Sequence, residues 1–156
     1  MKKELVFVTG FFGSDTEEQA RKIAEERGFD FLSLDREIEK QDGRSVQRIS
    51  MTMGEHEYRN REYETLVHIC SHAERPAVVA CGDGVLLDDM SASLIKEHEL
   101  IILDMDTDVD VLWQNALKTG GSTYHAFMYG KDQQQKRRAF DDLHRRRKAL
   151  YERRVL

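Results

Sequence analysis

The chain has 156 residues, enough for one domain with a real hydrophobic core. Hydrophobic residues make up 40% and charged residues 34%, which excludes collagen-like and low-complexity classes and argues against disorder. The net charge of −5 is uneven. Residues 133–156 hold nine Lys/Arg against three Asp/Glu, and the first 132 residues hold 15 against 26. The overall sign speaks against a nucleic-acid binder, while the basic tail keeps a local anion site open.

In chain order, Leu5 to Thr9 is a short apolar β-rich run ended by Gly10. The run Ser14-Asp15-Thr16-Glu17-Glu18 then offers N-caps and first-turn acids to a helix that carries Ala20, Ile23 and Ala24 on one face and ends near Gly28. Phe29 to Leu34 alternates like a strand, so strand, glycine turn, helix and strand form a βαβ unit and predict a parallel sheet. Charged helix follows over 36–40, broken around Asp42-Gly43, then helices over 45–51 and 55–73, the last anchored by Tyr58, Leu66 and Ile69. Ala77 to Cys81 reads as a third buried strand closed by Gly82-Asp83-Gly84. Helix 89–97, strand 100–103, helix 108–117, a loop-like stretch 120–130 and a long basic helix 133–153 complete the chain as one domain, residues 1–156.

Two cysteines, Cys70 and Cys81, cannot build a disulfide framework, and a reducing, cytoplasmic setting is expected. No apolar run approaches the roughly 18 residues a membrane span needs, and the basic-then-apolar start lacks the length and cleavage site of a signal peptide.

The loop after the first strand stands where a P-loop would stand. There, amides cradle phosphate, a lysine neutralises it and a hydroxyl holds Mg²⁺. Its residues are Gly10-Phe11-Phe12-Gly13-Ser14-Asp15-Thr16-Glu17. Asp15 takes the second glycine position, Thr16 the lysine and Glu17 the Ser/Thr. A carboxylate there repels a phosphate by roughly 4 kcal/mol for unit charges about 4 Å apart at an effective dielectric near 20. An ordinary βα turn with acids at a helix N-terminus accounts for the run by itself. Gly82-Asp83-Gly84, at the end of a parallel strand, can turn backbone N–H groups toward a ligand or serve the turn alone. Asp35, Arg59 and Arg147 are scattered polar residues that can accept from hydroxyls or fork onto a carboxylate, and each read singly is a surface charge. His68 and His72 share a helix face without an evident third metal ligand, so no metal site is expected. Asp104, Asp106, Asp108 and Asp110 read as turn and capping acids rather than a calcium loop.

Taken together, GFFGS (10–14), LDREIE (34–39), GRSVQRI (43–49), MGEHEYRNRE (53–62), VVACGDGVLL (78–87) and RKALY (147–151) follow the order and spacing of a known set. On these motifs the chain resembles the shikimate kinases over nearly its whole length. The resemblance implies a three-layer α/β fold with a parallel sheet, similar to P-loop and nucleoside-monophosphate kinases but short at the C-terminus. It implies that Asp35 binds shikimate hydroxyls, that Arg59 and Arg147 grip the carboxylate, and that Gly82, Asp83 and Gly84 stand where the family's glycines offer amides, with Asp83 in place of the middle one. The donor side departs. Thr16 and Glu17 replace the lysine and the Mg²⁺ hydroxyl, Ser33 replaces the metal-associated aspartate, and the lid arginine is matched at best by His125.

The expectation is therefore a binder or sensor of shikimate or a similar hydroxy-carboxylate without ordinary ATP-dependent catalysis, needing neither ATP nor Mg²⁺. A loop closed over Asp15 would agree with it. Two alternatives stay open: a working shikimate kinase using ATP and Mg²⁺, with its missing cation supplied by Lys2, Lys3 or a partner, and a protein-binding module using the basic terminal helix.

Overall fold

A computed structural model describes residues 4–118 and 132–155. Four strands, β1 (Leu5–Gly10), β2 (Asp30–Ser33), β3 (Ala77–Ala80) and β4 (Glu99–Leu103), form one sheet in the order β2-β3-β1-β4. Every pairing is parallel, with Phe7 opposite Val79 on one side and Leu100 on the other. Strand β1 is buried along its whole length, as an apolar run covered on both faces requires.

The alternation of β1 separates two cores. Val6 and Val8 face α1 (Thr16–Arg27) through Ala20 and Ala24. Leu5 and Phe7 face the opposite layer, with Leu66 and Ile69 of α4 (Glu55–His72), Ile95 of α5 (Asp89–Lys96) and Leu150 of α7 (Gln133–Arg154). Helices on both faces of a parallel sheet make the three-layer α/β architecture expected from the motifs. Helices α2 (Leu34–Asp42) and α3 (Val46–Met53) lead into α4, and α6 (Val109–Lys118) packs with α7. A third cluster joins Phe11, directly after β1, to Leu112, Trp113, Phe140 and Leu143.

The local signals hold with two corrections. Ser45, Asp88 and Asp132 cap α3, α5 and α7 through their side chains, Asp132 in a full capping box with Gln135. The cap expected for α1 is absent: Asp15 sits at its N-cap with φ 52° and makes no side-chain cap bond. Helix α2 begins at Leu34 rather than Arg36, because the Ser33 hydroxyl accepts the Arg36 N–H at 3.4 Å and turns the chain out of β2. No helix among the described residues is long and apolar enough to cross a membrane, and both cysteines are free thiols.

Candidate functional site

From β1 the chain runs outward to β2, and from β3 it runs past β1 to β4. The crevice therefore opens between the carboxyl ends of β1 and β3, where ligands bind in open parallel sheets. The loop 10–15 leaves one end and the turn 82–84 leaves the other. Cys81 N–H donates to the Val8 carbonyl at 2.8 Å and the Thr9 hydroxyl donates to the Gly82 carbonyl at 2.7 Å, so the two loops are tied together at their base.

The loop after β1 owes its shape to packing. Gly13 has φ +90°, and a Cβ there would lie 2.1 Å from the Leu112 carbonyl of α6. Asn115 donates to the Gly13 carbonyl at 3.3 Å, and Phe11 meets Phe140 edge to face with centroids 4.9 Å apart. A Cβ on Gly10 would lie 3.0 Å from that of Leu103. The Ser14 hydroxyl is buried without a hydrogen-bond partner among the described residues. The loop does not close over Asp15, which is exposed. Instead Gly10, Gly13, Ser14, Asp15 and Thr16 line an open cavity of about 580 Å³ that Lys118 also borders. Glu17 turns away: its carboxylate accepts from the Ser33 hydroxyl at 2.7 Å and pairs with Arg36 at 3.4 Å. Hydroxyl and carboxylate thus bond directly across the two positions that the resemblance associates with a metal, with their chemistry exchanged between α1 and β2.

The second group converges on a larger cavity of about 1000 Å³ between α4, α7 and the 82–84 turn, bordered by Phe12, Arg59, Gly82, Asp83, Arg146 and Arg147. Gly82 also borders the loop cavity and a third one of about 520 Å³ that holds Asp35, Glu17 and Ser33, so it marks the junction of all three. Asp35 reaches the large cavity through Tyr58, whose hydroxyl donates to Asp35 Oδ1 at 2.6 Å. Gly84 leaves room for Arg59: a Cβ there would lie 2.4 Å from Arg59 Nη2, and the guanidinium would have to move.

Arg59 and Arg147 are each held by carboxylates of this chain. Arg59 Nη1 donates to Glu62 at 2.7 Å and Nη2 to Glu55 at 3.0 Å. Glu62 is 1% exposed. Arg147 Nε donates to Asp83 Oδ2 at 2.7 Å, and the Tyr151 hydroxyl donates to the Asp83 carbonyl at 2.7 Å. Burial drives the electrostatics. It pushes the Asp35 carboxyl up to about 6 against the opposing bond from Tyr58. It pushes Glu62 up to about 7 against the attraction of Arg59, and it raises the Tyr58 and Tyr151 phenols. Burial lowers the Arg59 guanidinium, but Glu62 outweighs it and the net shift is upward. Among the described residues, Arg59 Nε and Glu62 Oε2 are buried without hydrogen-bond partners.

Tyr58 and Glu62 make polar contacts in this cluster that the residue-by-residue reading missed. Tyr58 reads as a helix anchor, yet its hydroxyl links Asp35 to the cavity. The Arg-x-x-Glu spacing in Arg59–Glu62 was the available signal, since i and i+3 share a helix face. His68 and His72 stack face to face at 4.2 Å, with His72 Nδ1 3.0 Å from the His68 carbonyl oxygen. Asp104 accepts from the Thr107 hydroxyl and Asp108 from the Asp110 N–H, as turn and capping acids do. His125 lies outside the described residues.

A family model described as shikimate kinase matches residues 18–155, a stretch that starts just past the loop. Among relatives, the shikimate kinase of Chlorobaculum tepidum is 42% identical over 98 residues, 63% of this chain and 50% of that protein. The bifunctional shikimate kinase/3-dehydroquinate synthase of Thermotoga maritima is 34% identical over 98 residues, 63% of this chain and 20% of that one. The match to the shikimate kinases of Chlorobaculum and Chlorobium thus spans about half their length. Among solved structures, shikimate kinase from Acinetobacter baumannii in complex with shikimate superposes with TM-score 0.80 at 23% identity, covering 97% of this chain and 80% of that one. The enzyme from Aquifex aeolicus gives 0.67 at 17% identity, with 96% and 82% covered. At these identities the superpositions establish the fold.

Proposed function

The chain belongs to the shikimate kinase family, and from that premise we propose that it binds shikimate or a similar ring hydroxy-carboxylate without ordinary ATP-dependent phosphoryl transfer. One observation carries the reading: Asp35 shares a cavity with Gly82, Arg59 lies against Gly84 and Arg147 is bonded to Asp83, while the loop that would face phosphate presents Asp15 and no lysine of its own. In this reading Asp35 accepts from ring hydroxyls. Arg59 Nε, buried without a partner among the described residues, marks unspent hydrogen-bonding capacity beside the cavity, where a carboxylate finds charge-assisted donors.

The residues around the loop do not fit Mg²⁺-ATP. Phosphoryl transfer depends on positioning and charge neutralisation. Here Asp15, Asp83 and Asp104 border the loop cavity against the one cation Lys118 among its described residues, and Glu17 is bonded to Ser33 and Arg36. That the family match starts at residue 18 agrees with a divergent loop.

Isothermal titration with shikimate tests the reading. Heat of binding that is lost in Asp35→Ala and Arg59→Ala is the expected result, and no heat at millimolar ligand refutes it. A second reading, a working shikimate kinase, is favoured by Lys118 at the loop cavity, which could stand in for the missing lysine. ADP release coupled to shikimate, abolished in Lys118→Ala, would establish it over the first.

A further inference from the structure

The large cavity is cationic in outline. Arg146, Arg147 and Arg153 of α7 and Arg59 of α4 all border it, and four guanidiniums around one space select anions. The innermost cation of α7 is already engaged. Arg147 is bonded through Nε to Asp83, and both side chains are only 11% exposed. The backbone that carries Asp83 is tied on both sides: Gly82 is held by Thr9, the Asp83 carbonyl by Tyr151, and Gly84 lies under the Arg59 guanidinium. Its carboxylate borders both the large cavity and the loop cavity.

Resting on the binding reading above, we infer that Asp83 is the specificity-determining residue of the cavity, an internal carboxylate that occupies Arg147 and competes with the carboxylate of the ligand. An incoming carboxylate meets Asp83 at close range in a half-buried space, where like charges cost most. It must either displace Asp83 from Arg147 or settle for Arg59 alone. A neutral ring polyol meets no such charge repulsion. The residue therefore lowers discrimination in favour of acids and tilts the cavity toward neutral polyols.

The test is calorimetric titration of the full chain, Asp83→Asn and Asp83→Gly with shikimate and with its methyl ester. The expected result is a gain of at least about tenfold in affinity for shikimate in both variants, with affinity for the ester unchanged within about threefold. Asp83→Asn keeps the side-chain shape, so it stays informative if Asp83→Gly unfolds, and circular dichroism checks both. Equal or weaker shikimate binding in Asp83→Asn means that Asp83 only positions Arg147 and overturns the inference. An equal gain for the ester overturns it as well. Absence of binding by the parent and both variants overturns the inference together with the binding reading, whereas parent binding with no gain overturns the inference alone.

Discussion

Asp35 should hold its ionised carboxylate at a cost to the fold, and neutralising it should stabilise the protein in a pH-dependent way. Its carboxyl titrates at about 6 in the fold against an ordinary 3.8, with burial as the main cause. The folded value lies above the unfolded one, so between these pH values the native state keeps a proton that the unfolded chain has lost. Stability then falls as pH rises through that window and levels off above it. Two units are worth about 3 kcal/mol, and residual exposure of the side chain to water reduces this to about 1–3 kcal/mol. Asp35→Asn removes the charge and keeps an oxygen to accept from the Tyr58 hydroxyl. At pH 8 the variant should be more stable by that amount, about 3–10 °C in Tm for a domain of this size, and at pH 4 the two should coincide. Thermal melts of both proteins at pH 4, 6 and 8 read this directly. A variant no more stable than the parent at pH 8, or a gap that does not shrink toward pH 4, refutes the reasoning. A carboxylate kept at such a cost is what a binding site, rather than a core, requires.

Other outcomes follow from the same contacts. Gly13→Ala should destabilise by about 3 kcal/mol or more, because the backbone is left-handed and the new Cβ meets the Leu112 carbonyl at 2.1 Å; urea denaturation measures it, and a near-neutral result would remove packing as the reason for this glycine. Ser33→Ala should cost about 1–2 kcal/mol in the same assay, since one hydroxyl both caps α2 and bonds Glu17. Glu62, at about 7 in the fold against 4.5 ordinarily, adds to the loss of stability between pH 4.5 and 7, so the decline should be shallower there in Glu62→Gln. Arg59→Ala should weaken shikimate binding by about 100-fold through loss of a charge-assisted contact, read by titration.

Much of the fold is legible along the chain because it depends on local periods. The apolar runs of β1 and β3 and the glycine closing α1 each act within a few residues, and the structure follows them. The α1 cap failed for a tertiary reason: the loop is shaped by Leu112, Asn115 and Phe140, and Asp15 is carried into a left-handed conformation where its side chain cannot cap. Asp35, Arg59 and Arg147 read singly as surface charges, and only the resemblance nominated them as site residues.

What the order of residues cannot express is who meets whom across the fold. Arg147 and Asp83 are 64 residues apart, Tyr58 and Asp35 are 23, and Ser33 and Glu17 are 16. Read singly, each is a surface charge, a core aromatic or a cap. The parallel α/β frame and the positions of the strand ends follow from the order of residues, because hydrophobic alternation and glycine turns are properties of neighbours. The packing of distant segments is what matches Arg147 with Asp83 and raises Asp35 and Glu62 by burial. Burial and charge pairing are set by distances in space, and the sheet fixes those only once all four strands are in register.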